Sequence, residues 1–176
     1  MVFCGCLWGK MSKAAKTFFG NNEYRIDPKG RIPLPAEYHA KLNLVDENST
    51  IVIVCSPYEE KPYLEIFSEE QWAKQEKRIK KMPEGRVRTY LLNNYIYSAK
   101  SIGLDSQNRI RLPQSMIDYA GIDKDVVFVG VISNIRIWAT EKFAAERKSI
   151  HVTQEEIDAA FNQVSVLIPD DDEEDE

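Results

Sequence analysis

Short apolar runs alternate with polar, turn-prone stretches along most of this chain. Ile51-Val52-Ile53-Val54, Leu64-Glu65-Ile66-Phe67, Val126-Val127-Phe128-Val129 and Ile135-Arg136-Ile137-Trp138 have the length and the β-branched or aromatic content of strands. After the second and fourth runs the pattern turns helical. Ser68-Glu69-Glu70-Gln71-Trp72 and Thr140-Glu141-Lys142-Phe143 read as Ser/Thr N-caps with acidic residues in the first turn. The first of these helices is predicted over about 69–81, followed by Pro83 and Gly85. A further helix is predicted over about 86–98, with Tyr90, Leu91, Tyr95 and Ile96 spaced as a buried face. Short helices are predicted over about 36–43 and 114–120. Pro35 and Pro113 are placed at their first helical positions, where a missing N–H costs nothing. Gly121 is placed as a C-terminal cap.

One decapeptide pattern occurs twice. Ile26-Asp27-Pro28-Lys29-Gly30-Arg31-Ile32-Pro33-Leu34-Pro35 returns 78 residues later as Leu104-Asp105-Ser106-Gln107-Asn108-Arg109-Ile110-Arg111-Leu112-Pro113. The strand pairs and the helices after them repeat as well. Each copy therefore reads strand, tight turn, strand, short helix, two strands, helix. Strands this short do not hold a sheet alone, whereas two interleaved modules hide one another's edges. The expected fold is α+β and β-rich: one intramolecular unit with pseudo-two-fold symmetry and flanking helices. The divisions drawn are an N-terminal extension over 1–17, module 1 over 18–83, module 2 over 84–148, a helical C-terminal segment over 149–169 and a disordered acidic tail over 170–176.

The repeated turn has a local chemistry. The carboxylate of Asp27 suits the first position of a type I turn, Pro28 presets φ at the second, and Gly30 takes the left-handed position. Asn108 is the usual substitute for that glycine. Arg31 and Arg109 follow at once, so each aspartate is in reach of an arginine four residues on. Lys29 sits at the first tip, and Arg111 lies close by in the second copy. A rigid turn that holds an arginine suits DNA, because a guanidinium donates two parallel bonds to guanine O6 and N7 or grips a phosphate. An isolated Asp-x-x-x-Arg is more often a capped turn with a surface ion pair worth ~0–1 kcal/mol. Its repetition favours function. The DNA-binding candidates are Asp27, Lys29, Arg31, Asp105, Arg109 and Arg111, with Pro28, Gly30 and Asn108 forming the turns.

The formal charge of −5 changes this picture less than it suggests. Asp170–Glu176 is wholly acidic, and without those seven residues 21 acidic residues face 23 basic ones. The tail reads mainly as a solubility segment; a sharper reading has it compete with phosphate for the basic tips. Three cysteines, Cys4, Cys6 and Cys55, make neither a disulfide framework nor a zinc set, which fits a reduced cytoplasm. Residues 1–10 lack the features of a signal peptide and read as a dispensable extension or an upstream start. No apolar run is long enough for a membrane span.

Other features have plain readings. Lys74, Lys77, Arg78, Lys80 and Lys81 form a solvated helix face, interleaved with Glu69, Glu70 and Glu76. Trp72, Trp138 and Phe143 are assigned to the core, and His39 and His151 to the surface or its boundary. An enzyme using Asp27 and Asp105 as paired carboxylates is the alternative of a different class, but no phosphate loop, nucleophile elbow or metal cluster accompanies them. An antitoxin binding DNA and a toxin, and an oligomeric scaffold, are the remaining alternatives.

Phe19-Gly20, the twofold Leu/Ile-Asp…Arg-Ile-x-Leu-Pro motif, Val129-Gly130 and Ile137-Trp138 resemble the MraZ family, within the AbrB-like swapped-hairpin DNA binders. The resemblance spans about residues 18–147. It implies a double-split β-barrel made of two AbrB-like modules, a ring-shaped homo-oligomer, and a nucleoid-associated, cytoplasmic repressor. Such a repressor binds G-rich direct repeats in double-stranded DNA upstream of its own division and cell-wall operon. Cofactors and metals are not implied. His39, Asp118, Asn108 and Arg136 depart from the family pattern.

Overall fold

A computed structural model describes residues 17–44 and 49–167, with side chains described as far as residue 164. The extension with Cys4 and Cys6 and the acidic tail lie outside the described residues. The chain forms two compact units, divided after Thr140.

Among the described residues the first unit contains eight strands. In chain order they are β1 (Asn21–Arg25), β2 (Arg31–Pro33), β3 (Thr50–Cys55), β4 (Leu64–Ser68), β5 (Lys100–Gly103), β6 (Arg109–Arg111), β7 (Asp125–Gly130) and β8 (Ile135–Ala139). Helices α1 (Ala36–Lys41), α2 (Glu69–Lys80), α3 (Arg86–Tyr90) and α4 (Gln114–Ala120) join them, with α3 continuing into a π-helical stretch, Leu91–Ile96. Six strands form one antiparallel sheet in the order β1-β7-β8-β4-β3-β5, and β2 and β6 form a separate ribbon.

That order is a palindrome under the repeat. Exchanging β1 with β5, β7 with β3 and β8 with β4 reproduces it. The first strand of each copy pairs with the other copy: β1 with β7, and β5 with β3. The pseudo-dyad runs through two cross-strand positions, Ile32 opposite Ile110 in the ribbon and Glu65 opposite Arg136 in the sheet. The two copies are thus one interleaved body, mixed α+β and rich in sheet. No ladder among the described strands joins ribbon to sheet, so the sheets are not closed by hydrogen bonds into a barrel.

One core gathers the sheet, the ribbon, α1 and α4. Ile51, Ile53, Leu64, Ile66, Ile135 and Ile137 from the sheet share it with Ile32, Ile110, Tyr38 and Met116. Each buried aliphatic side chain contributes about 1.5–3 kcal/mol, and the ribbon is held chiefly through its two isoleucines, both fully buried. A second core joins Val52, Val54 and Phe67 to Trp72 and Ile79 of α2 and to Tyr95.

Helix boundaries follow the sequence with small corrections. Ser68 caps α2 in a reciprocal box with Gln71, as its residue types predict. In the second copy the helix α5 (Thr140–Ser149) begins at Thr140 itself rather than after it. Pro35 and Pro113 stand one place earlier than expected. Both are extended, ψ 129° and 145°, and their carbonyls accept the first helical N–H groups, from Tyr38 and Met116. Left-handed positions recur at equivalent places: Gly30 and Asn108 in the turns, Asn43 and Gly121 after the short helices. Each copy fills one with glycine and the other with asparagine, the two residues that tolerate this conformation.

The second unit holds the rest of α5 and α6 (Gln154–Leu167). Thr153 and Glu156 form a capping box at the start of α6. Ile157, Phe161 and Val164 lie along one face of this helix and are exposed. Among the described residues no helix is long and apolar enough to cross a membrane.

Candidate nucleic-acid interface

The repeated turn closes when the Asp27 carbonyl accepts the Gly30 N–H at 2.9 Å. The carboxylate then does two things at once. Its Oδ1 accepts the backbone N–H groups of Lys29 (2.8 Å) and Arg31 (2.9 Å). Its Oδ2 accepts Nε of Arg31 at 2.6 Å and Nη2 at 2.6 Å. The second copy repeats the arrangement: Asn108 N–H to the Asp105 carbonyl at 2.9 Å, Gln107 and Arg109 N–H to Oδ1 at 2.9 and 3.0 Å, and Arg109 Nε and Nη2 to Oδ2 at 2.8 Å each.

These bonds favour the ionised carboxylates. The Arg31 side chain, with backbone N–H groups adding to it, lowers Asp27 to about 2. For Asp105, burial acts upward, but the Arg109 backbone and side chain and the Gln107 backbone outweigh it, so the net shift is also downward. Two carboxylates each fastened to their own arginine and held ionised are poor general acids, which weakens the paired-carboxylate reading.

Each aspartate takes one edge of its guanidinium, Nε with Nη2. The other edge, Nη1 with the second N–H of Nη2, keeps two parallel donors in a fixed plane. That is the fork which fits a phosphate or the O6/N7 edge of guanine. The arginines themselves are not free tips. Their side chains are 30% and 26% exposed, folded back by the aspartates. Lys29 and Gln107 are exposed at the tips, beside the exposed turn residues Pro28, Ser106 and Asn108.

Strand alternation sets which way the ribbon faces. Ile32 and Ile110 point into the core, so Arg31, Pro33, Arg109 and Arg111 lie on the opposite, outer face. All six charged candidates are brought to this ribbon and its turns. The register moves one of them: Arg111 stands opposite Arg31, at the first turn's end of the ribbon and not beside the second turn. Nothing local in the sequence signals this, whereas the place of Gln107 as the counterpart of Lys29 follows from the alignment of the two decapeptides.

Gly30 is needed twice over. Its φ is +76°, and a Cβ there would come within 2.8 Å of the Leu112 carbonyl oxygen. The two turns are also stitched to the opposite copy, Leu112 N–H to the Gly30 carbonyl and Leu34 N–H to the Asn108 carbonyl, at 2.8 and 3.0 Å.

The remaining singled-out residues fall elsewhere. Trp72 and Trp138 are buried, Phe143 is half-buried, His39 is half-buried with its ring near the Leu34 carbonyl, and His151 is exposed. Tyr95 is buried as expected, whereas Tyr90 is 37% exposed. Cys55 is a free thiol, and among the described residues no His, Cys, Asp and Glu cluster has the makings of a metal site.

Fold and site together define a tandem-repeat protein in which two interleaved halves present one basic β-ribbon. The family model described as "MraZ protein, putative antitoxin-like" matches residues 17–92 and again 96–161. The chain belongs to the MraZ family. It is similar to proteins named transcriptional regulator MraZ: 28% identical to that of Syntrophomonas wolfei over 80% of this chain and 93% of the relative. For Lachnoclostridium phytofermentans the figures are 30%, 72% and 84%, and for Pelodictyon phaeoclathratiforme 31%, 73% and 87%.

Proposed function

We propose that this chain is a sequence-specific DNA-binding transcriptional regulator without enzymatic activity, and that the outer face of the β2–β6 ribbon is its DNA surface. The observation that carries the reading is the twofold occurrence of an arginine clamped by an aspartate, each with one donor edge free, on a single ribbon. The names of the relatives point the same way. Asp27 and Asp105 orient, Arg31 and Arg109 contact bases or phosphates, and Lys29 and Arg111 add charge. A β-ribbon of this width enters a major groove.

The finer reading goes with it. The six-stranded sheet and the ribbon correspond to the split barrel of two modules, residues 18–83 and 84–148. Several copies form a ring whose ribbons line one rim and bind G-rich direct repeats upstream of the protein's own operon as a repressor, at the nucleoid. Avidity then supplies much of the affinity, since the ribbon of each chain is short. Binding of the full chain to a duplex from its own upstream DNA, with a scrambled duplex as control, tests the function. Light scattering tests the ring, where a species several times the 20.3 kDa chain is expected. Equal affinity for both duplexes, or a monomer that binds the upstream duplex tightly, contradicts the respective part.

A further inference from the structure

The ribbon is symmetric in fold and asymmetric in chemistry. Between its two turns every corresponding hydrogen bond to the aspartate agrees within 0.2 Å. What differs is which side chains the register gathers at each end. Arg31 lies across from Arg111, and Arg109 lies across from Pro33. At the first turn Lys29, Arg31 and Arg111 therefore meet, three cations of which only Arg31 is tied to a carboxylate. At the second turn Gln107, Arg109 and Pro33 meet, with a single cation that Asp105 already balances.

Lys29 and Gln107 occupy the same exposed place in the two turns and lend the turn only their backbone N–H groups. Their side chains are free to differ in function without disturbing the fold. Arg111 is exposed and sits directly opposite another arginine, an arrangement that is unfavourable in the free protein and relieved when an anion bridges the pair. A lysine and an arginine flanking Arg31 make a phosphate grip, which gives affinity without sequence information. A neutral carboxamide gains little from a phosphate. It carries a donor and an acceptor in one plane, the pattern that matches adenine N6 and N7 in a major groove.

Resting on the DNA-binding reading above, we propose that the two ends of the ribbon divide the work on one duplex: Lys29 and Arg111 grip phosphates beside Arg31, and Gln107 reads a base edge beside Arg109. The first copy then anchors and the second discriminates, and the chain has a defined polarity on its site.

The test uses the full chain, fluorescence anisotropy, a duplex from its own upstream DNA, a scrambled duplex of equal length, and a series of salt concentrations. Salt-dependent binding by the wild type is the premise; its absence on both duplexes defeats the DNA-binding reading itself. Given that binding, Lys29→Gln and Arg111→Gln are each expected to weaken both duplexes alike and to lower the slope of log affinity against log salt by about one per engaged subunit. Gln107→Ala is expected to keep the slope and to cut the preference for the upstream duplex about tenfold. The exchange Lys29→Gln with Gln107→Lys preserves net charge and the turn bonds; it is expected to lower the slope as Lys29→Gln does and to lose the preference, and an unchanged slope with the preference kept counts against the division of roles. A Gln107→Ala protein with its preference intact, or unchanged slopes in both Lys29→Gln and Arg111→Gln, overturns the division of roles.

Discussion

The ribbon and the centre of the six-stranded sheet both lie where the two copies meet, and both set an arginine beside a carboxylate, with opposite consequences. In the ribbon, Asp27 and Arg31 belong to one copy, four residues apart, and both remain near a third exposed. The bond fixes the direction of the arginine and leaves half its donors outward. In the sheet, Glu65 and Arg136 come from different copies and meet on the pseudo-dyad, with Arg136 Nε 3.7 Å from Glu65 Oε1. Glu65 is 8% exposed and also accepts the Tyr95 hydroxyl at 2.8 Å. The Arg136 guanidinium lies over the Tyr63 ring at 4.6 Å, and Tyr63 packs on Trp138 at 4.6 Å. Burial, then the nearby Glu65 charge, pushes the Tyr95 phenol far above its ordinary value, so it stays a donor. Burial likewise pushes Tyr63 up to about 12. The same pair of residue types presents a ligand-binding group in the ribbon, where both partners stay partly exposed, and in the sheet sets a partly exposed arginine beside a buried glutamate where the two halves meet.

The largest expected effect comes from breaking the sheet pair. Glu65→Ala leaves the buried Tyr95 hydroxyl without its acceptor and Arg136 without its nearby counter-charge, and should destabilise the fold by about 2–3 kcal/mol. Urea unfolding measures it, and a Glu65→Leu, Arg136→Met, Tyr95→Phe variant, which removes all three polar partners together, should recover most of the loss. A single variant as stable as the wild type would remove the contrast with the ribbon.

Next in size is the ribbon. Arg31→Ala and Arg109→Ala should each weaken binding to the upstream duplex by about 1–3 kcal/mol, while the urea midpoint moves little. An exposed pair of this kind contributes only about 0–1 kcal/mol to the fold. Undiminished affinity in a folded double variant refutes the role given to these arginines.

The turns should differ from each other by somewhat less. Gly30→Asn must push a Cβ against the Leu112 carbonyl and should cost about 1–2 kcal/mol. Asn108→Gly should fall within about 0.5 kcal/mol. Thermal unfolding of both variants compares them, and equal losses would mean that the two turns are packed alike.

The smallest effect is confined to acid. Asp27 is lowered in the folded chain, so its contribution to stability is present above its ordinary value of 3.8 and is lost as pH falls from there through about 2. Nothing from this group changes between pH 5 and 8. A carboxyl NMR titration should find a midpoint near 2 in the wild type and a return toward the ordinary range in Arg31→Gln. An unmoved midpoint in the variant would break the link between the arginine and the carboxylate.

Much of this was open to sequence reasoning because it is local. The Asp-x-x-x-Arg turn, the Ser68 cap and the left-handed positions at Gly30, Asn108 and Gly121 rest on groups within four residues of one another, so residue type and spacing suffice. Pro35 and Pro113 stand one position before the helical start that residue type suggests, because a residue's φ, which proline sets, does not decide its ψ. The Glu65–Arg136 lock left no such signal: Arg136 registers only as a departure from the family pattern until the strand opposite it is known.

By itself the sequence determined that two copies of one β-rich module exist, where their strands, turns and short helices fall, and that each turn carries an arginine beside an aspartate. Only the tertiary structure decided that the copies exchange strands, that Arg111 joins the first turn and leaves Pro33 to the second, and that Glu65 faces Arg136. The reason is register. Strand pairing across some 78 residues of chain selects which side chains become neighbours, and a slip of one residue would turn every one of them to the other face.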